Sequence, residues 1–157
     1  MLEIWLEIER WRQAGKSISL ATVIKVEGSS LRPEGSKLAV TNDYQFAGSI
    51  TGGCVEGAVY EEAQQVIQSG APRRLSYGVT DSTAWSVGLA CGGSIEVFLE
   101  SLASAPWQSL EGEIRHCIEQ KQLSALVTVV SGPAFGNKLL IWPDGRQSGD
   151  LGSLELN

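Results

Sequence analysis

Metal-ligating residues are scarce in this sequence. It has three cysteines and one histidine in 157 residues, and no Cys-x-x-Cys pair. The closely spaced ligand pairs of structural zinc are therefore missing. An odd cysteine count without framework spacing also argues against a disulfide scaffold and for a reducing compartment. Basic residues are few as well: 12 Lys and Arg stand against 18 Asp and Glu, for a net charge of −6, and Arg73-Arg74 is the one close basic pair. A polyanion partner needs clustered cations, so a nucleic-acid role is excluded. No apolar run approaches the roughly 20 residues of a membrane span. The first residues, MLEIWLEIERW, lack the cationic start and apolar middle of a signal peptide. No Gly-x-Gly-x-x-Gly follows a strand, so no C-terminal dinucleotide-binding domain is expected. These absences predict a cytoplasmic protein with no membrane span and no nucleic-acid partner.

The composition is that of a folded chain, with 43% hydrophobic and 19% charged residues. Its length suits a single domain over residues 1–157. Ile4, Ile8 and Trp11 recur at helical spacing and Gly15 stops that helix. Ile18 to Val26 reads as a buried strand, Lys37 to Thr41 and Gln45 to Ile50 as a hairpin. A second helix follows Cys54, with Val55, Ala58, Val59, Ala63, Val66 and Ile67 inward and Glu56, Tyr60, Glu61, Gln64 and Gln68 outward. Arg74 to Tyr77 and Ser94 to Glu100 read as strands around a long segment from Gly78 to Gly93. Asp81 and Trp85 within it read as a helix cap and a core aromatic. Pro106 opens a third helix with Trp107, Leu110, Ile114 and Cys117 inward, before three more strands. The expected fold is α/β, one mixed sheet with about three helices.

A duplicated strand–hairpin element runs through this pattern. Thr22-Val23-Ile24 precedes Gly35, Lys37-Leu38, Asp43, Gly48 and Ile50; Thr128-Val129-Val130 precedes Gly136, Lys138-Leu139, Asp144, Gly149 and Leu151. From the glycine onward the copies keep one fixed offset. What both copies share reads as scaffold, Lys37 and Lys138 included. The first copy alone carries the Ser29-Ser30-Leu31-Arg32-Pro33 expansion and a Gly-Gly-Cys exit into a helix. Function is expected in those additions.

Two mirrored elements, Gly52-Gly53-Cys54 and Cys91-Gly92-Gly93, set a thiol beside paired glycines. Thr51-Gly52-Gly53 entering a helix would present backbone N–H groups to an anion, aided by the helix dipole. The same helix end would lower the pKa of Cys54. Glu56 would repel an anion nearby, which places the guest on the other side. Ser29, Ser30 and Arg32 offer hydroxyls and a forked cation suited to phosphate. Cys117 belongs to the core and His116 to the solvent. A transient disulfide or a shared soft-metal ligand between Cys54 and Cys91 stays open.

Gly28-Ser-Ser-Leu-Arg-Pro-Glu-Gly35, Gly48-Ser-Ile-Thr-Gly-Gly-Cys-Val-Glu-Gly57, Tyr77-Gly-Val-Thr-Asp81 and Gly88-Leu-Ala-Cys-Gly-Gly-Ser-Ile-Glu-Val97 together resemble the XdhC/CoxI family. Its members are accessory proteins of molybdenum hydroxylases such as xanthine dehydrogenase and carbon monoxide dehydrogenase. The resemblance implies transient binding of molybdenum cofactor (molybdopterin), help with its sulfuration, and insertion into the apo-enzyme. It implies a molybdenum hydroxylase apo-enzyme and a sulfurtransferase as partners, with self-association open. By motif, the candidate cofactor-binding residues are Ser29, Ser30, Arg32, Gly52, Gly53, Cys54, Cys91, Gly92 and Gly93. Leu31 stands where the family often has proline, and many members continue into a second, dinucleotide-binding domain.

The leading expectation is a cofactor-binding chaperone and maturation factor rather than a turnover enzyme. One alternative is a thiol enzyme in which Cys54 carries sulfur or redox chemistry and Cys91 resolves it. The other is a non-catalytic scaffold that docks a partner protein. The cofactor-binding expectation requires the separated segments to converge in one place.

Overall fold

Helix α1, Leu2–Gln13, buries Ile4, Trp5, Ile8 and Trp11 on one side. The computed structural model describes residues 2–53, 55–78 and 93–153. The chain packs as two units, Met1–Leu102 and Ala103–Asn157, and each holds one copy of the repeat.

In the first unit α1 is followed by β1 (Ile18–Glu27), β2 (Lys37–Thr41), β3 (Phe46–Gly48), α2 (Glu56–Ser69), β4 (Arg73–Gly78) and β5 (Ser94–Ser101). These strands form one sheet in the order β3-β2-β1-β5-β4, every pairing antiparallel. Alternate residues reach opposite faces of a strand. Ala21 and Val23, Leu38 and Val40, and Ile95, Val97 and Leu99 accordingly share one face and pack with Val55, Val59, Ala63 and Val66 at the start and along the inner stripe of α2. Helix α1 lies against β1, β2 and β3. The β1–β5 register slips between Val23 and Lys25, which bends β1 just before the loop it feeds.

The second unit contains α3 (Ala105–Gln108), α4 (Glu111–Glu119), β6 (Ala125–Thr128), β7 (Lys138–Ile141) and β8 (Gln147–Asp150). Its sheet runs β6-β7-β8, again antiparallel. Trp107, Leu110, Ile114, Cys117, Leu139, Leu140 and Trp142 are buried in this unit, and the Trp142 indole N–H donates to Cys117 Sγ at 3.2 Å. Cys117 is thus a core residue and His116 is exposed, as expected.

The α/β class and the duplicated element stand, with two differences. The strands of the described residues form two antiparallel sheets, not one mixed sheet. The helix expected from Pro106 is two helices, because Leu110 breaks the run with φ −108° and ψ −7° before α4 starts.

The repeat matches hydrogen bond for hydrogen bond. Gly35 N–H donates to the Val23 carbonyl and Gly136 N–H to that of Val129, both at 2.8 Å. The Nζ of Lys37 donates to Thr22 Oγ1 and that of Lys138 to Thr128 Oγ1, both at 2.9 Å. Gly48 opposes Leu38 and Gly149 opposes Leu139. A Cβ at Gly48 would fall 2.2 Å from the Lys37 carbonyl oxygen, and one at Gly149 2.4 Å from that of Lys138. Both glycines also have positive φ, +87° and +100°, so no other residue fits either position without strain.

Candidate functional site

β1 leaves the sheet at Glu27 and returns through β2, and the intervening segment is the first-copy expansion. Its base is closed by Val23 and Ser36 and by Gly35 and Val23, and the Val26 N–H donates to Glu34 Oε1. Ser30 folds the tip: its hydroxyl donates to the Arg32 carbonyl at 2.9 Å and accepts the Arg32 N–H at 3.3 Å. Leu31 projects outward, 72% exposed. Arg32 is half-buried, and its Nε donates to the Ser49 carbonyl at 3.3 Å. Its two Nη groups have no hydrogen-bond partner among the described residues.

That bond ties the expansion to the segment that enters α2. A Cβ at Gly52 would lie 3.4 Å from Leu31 Cδ1, which places the two tips side by side. Gly93 comes in from the start of β5: a Cβ there would sit 2.2 Å from the Ser29 carbonyl oxygen and 2.8 Å from that of Glu27. Only a glycine permits that approach. Ser29, Ser30, Arg32, Gly52, Gly53 and Gly93 therefore meet at one end of the first sheet. Cys54, Cys91 and Gly92 lie outside the described residues, as do Asp81 and Trp85. Gly53, the chain neighbour of Cys54, and Gly93, two residues past Cys91, are both at that end. Among the described residues no three His, Cys, Asp or Glu side chains group as a metal site.

The largest departure from expectation is Glu56. Helical periodicity points it to solvent, but it is buried, 9% exposed, and turns back under its own helix end. Its Oε1 accepts the Ser49 hydroxyl at 2.9 Å and the N–H groups of Ile50, Thr51 and Gly52 at 3.3, 3.0 and 3.1 Å. Its Oε2 accepts the Thr51 hydroxyl and the Gly53 N–H, the latter at 2.9 Å. Burial by itself would raise this carboxyl's pKa. The hydroxyl and N–H of Thr51 and the hydroxyl of Ser49 outweigh it and hold the group down at about 2.

The N–H groups of Gly52 and Gly53 thus already hold an anion, and it is the protein's own. The expectation that they cradle a guest is corrected on that ground, since each amide has one proton to donate. What remains without a hydrogen-bond partner among the described residues is the pair of Arg32 Nη groups. Tyr60 and Gln64, expected to face solvent, are half-buried: Tyr60 stacks on Phe46 with centroids 5.5 Å apart, and Gln64 Nε2 donates to the Thr41 carbonyl at 3.0 Å. Sequence reading misses Glu56 and Ser49.

Residues 11–78, which include the expansion, Ser49 to Gly53 and Glu56, match the model of the XdhC and CoxI family. Over that segment the chain resembles the XdhC and CoxI family. Over 93 residues the chain is 37% identical to the molybdenum cofactor insertion chaperone PaoD of Escherichia coli K12, a match covering 59% of this chain and 29% of that protein. Over 136 residues it is 26% identical to a probable subunit of xanthine dehydrogenase from Bacillus subtilis 168, covering 80% of this chain and 40% of the other. A crystal structure described as a xanthine dehydrogenase from Bacillus halodurans matches 98% of this chain and 46% of its own, with a TM-score of 0.74 and 28% identity. The chain spans less than half the length of each of these relatives.

Proposed function

We propose that this protein is a maturation factor for a molybdenum hydroxylase, which binds molybdenum cofactor transiently and delivers it to the apo-enzyme. The observation that carries the reading is the meeting of the Ser29–Arg32 tip, the Gly52-Gly53 turn and Gly93 at one end of a sheet, in a chain related to a named cofactor-insertion chaperone.

The residues present fit such a guest in charge and shape. Arg32 carries a forked cation whose Nη groups have no hydrogen-bond partner among the described residues, the form that recognises phosphate and oxo groups in two-point fashion. The Ser30 hydroxyl folds the tip that carries it, and Gly53 has open space where a side chain would stand. The cofactor would bring the molybdenum and dithiolene chemistry. The protein's own residues would hold its charged groups, with Arg32 as the principal anchor. Cys54 and Cys91, close in sequence to Gly53 and Gly93, are the groups proposed to face soft sulfur and metal and to assist sulfuration, with a sulfurtransferase as donor. Glu56 keeps the Gly52-Gly53 turn closed to competing anions, so the guest meets Arg32 rather than bare amides. No helix among the described residues is long and apolar enough to cross a membrane, which accords with a cytoplasmic role beside the apo-enzyme.

Anaerobic equilibrium titration with isolated molybdenum cofactor tests this directly. Saturable binding that is lost in Arg32→Ala supports the proposal. Its absence under reducing conditions overturns it.

A further inference from the structure

Glu56 has a reach beyond its own turn. Ser49 carries it: the Ser49 hydroxyl donates to Glu56 Oε1 at 2.9 Å and accepts the Gly52 N–H at 2.9 Å, while the Ser49 carbonyl accepts Arg32 Nε at 3.3 Å. Three polar contacts therefore fix one residue from two sides. Arg32, whose backbone is set by Ser30 and followed by Pro33, has its guanidinium attached to the protein through this residue alone among the described residues. From this geometry we infer that Glu56 is the positioning residue of the candidate site, aiming the Arg32 guanidinium through Ser49. It touches no guest itself. The inference rests on the reading that Arg32 faces the cofactor.

The repeat provides a control within the same chain. At the equivalent point of the second copy Asp150 closes the turn locally, its Oδ1 accepting the Gly152 N–H at 2.7 Å. The first copy instead brings a carboxylate from the helix that follows and gathers four backbone N–H groups and two hydroxyls on it. The additional apparatus occurs in the copy that carries the Arg32 expansion, and it is connected to that expansion. Rotamer-rich guanidinium groups lose affinity when their support is loosened, because ordering them then falls to the binding step.

The test compares the wild-type protein with Glu56→Gln and with Ser49→Ala, first without cofactor. Amide exchange should quicken by about tenfold or more at Gly52 and Gly53 in Glu56→Gln while Val59 and Val66 in α2 keep their protection. The Arg32 Nε–H resonance should shift and broaden in both variants. With isolated molybdenum cofactor, affinity should fall by about tenfold in Glu56→Gln and less in Ser49→Ala, the scale seen when a supporting partner of a binding group is removed. If Glu56→Gln does not fold, Ser49→Ala decides by the same two readouts. Faster glycine exchange with an unchanged Arg32 signal and unchanged affinity would reduce Glu56 to a helix cap and overturn the inference. Absence of binding by the wild-type protein would instead sink the cofactor reading, and the Arg32 resonance would still judge the link.

Discussion

The two copies of the strand–hairpin unit agree in their framework and differ in their attachments. Both close with the same glycine bond, both place a lysine on a threonine, and both turn back over a glycine that allows no side chain. The first copy then adds a five-residue expansion and a carboxylate-held turn into α2, and β5 pairs along its β1 edge. The second copy ends its hairpin with a local aspartate. The difference separates what the unit needs in order to fold from what has been placed on it.

Substitutions at equivalent positions should test that division. The largest effect is expected from Gly48→Ala and Gly149→Ala, each forcing a Cβ into a backbone oxygen at positive φ. Each should cost about 3 kcal/mol or more in denaturant unfolding, and by similar amounts. A large inequality between them would show that the copies are not mechanically equivalent.

Next in size is the first-copy carboxylate. The Glu56 pKa falls from 4.5 to about 2 on folding. A depressed carboxyl contributes stability that is fully present above its unfolded value and is lost as the pH falls through its folded value. The gap between wild type and Glu56→Gln should thus be widest above about pH 5, on the order of 3 kcal/mol, and close between about pH 4.5 and pH 2. Unfolding midpoints measured across that range check it, and a gap independent of pH would count against the hydrogen-bonded anion.

The lysine pair should differ more mildly. Lys138 is 1% exposed and lies over the Trp107 ring at 5.6 Å, whereas Lys37 is half-buried. Lys138→Met should cost about 2 kcal/mol and Lys37→Met about 1 kcal/mol by the same measurement. The smallest effect on stability belongs to Arg32→Ala, within about 0.5 kcal/mol, because among the described residues its guanidinium makes one long hydrogen bond, to the Ser49 carbonyl at 3.3 Å. Its expected loss is in cofactor affinity instead. A variant that unfolds would place Arg32 with the scaffold rather than the site.

Much of this arrangement is legible in the residues. The repeat can be read because a hairpin forces particular residues at fixed steps: the aspartate in the turn, the glycine that follows it on the return strand, the apolar run along β2 and β7. The stripe of Val55, Val59, Ala63 and Val66 can be read because helical periodicity is local. The order β3-β2-β1-β5-β4 cannot, since β1 and β5 are joined across many residues and pairing at that distance leaves no mark on either strand. Glu56 escapes for another reason. A glutamate in the first turn of a helix is ordinarily solvated, and nothing but three-dimensional closure shows that six donors converge on it. Leu110, an apolar residue inside a helical pattern, gives no warning that it separates α3 from α4.

The pairing of β4 with β5 runs in register as far as Gly78 opposite Ser94. Gly78 and Gly93 therefore stand at neighbouring points, with Gly93 against Glu27 and Ser29. Joining two such points costs little more for a long connection than for a short one, since closure cost rises only with the logarithm of the number of residues. The sheet end acts as a socket: the β4–β5 register fixes its rim whatever length of chain is strung across it, and the parts that hold Arg32 need no retooling.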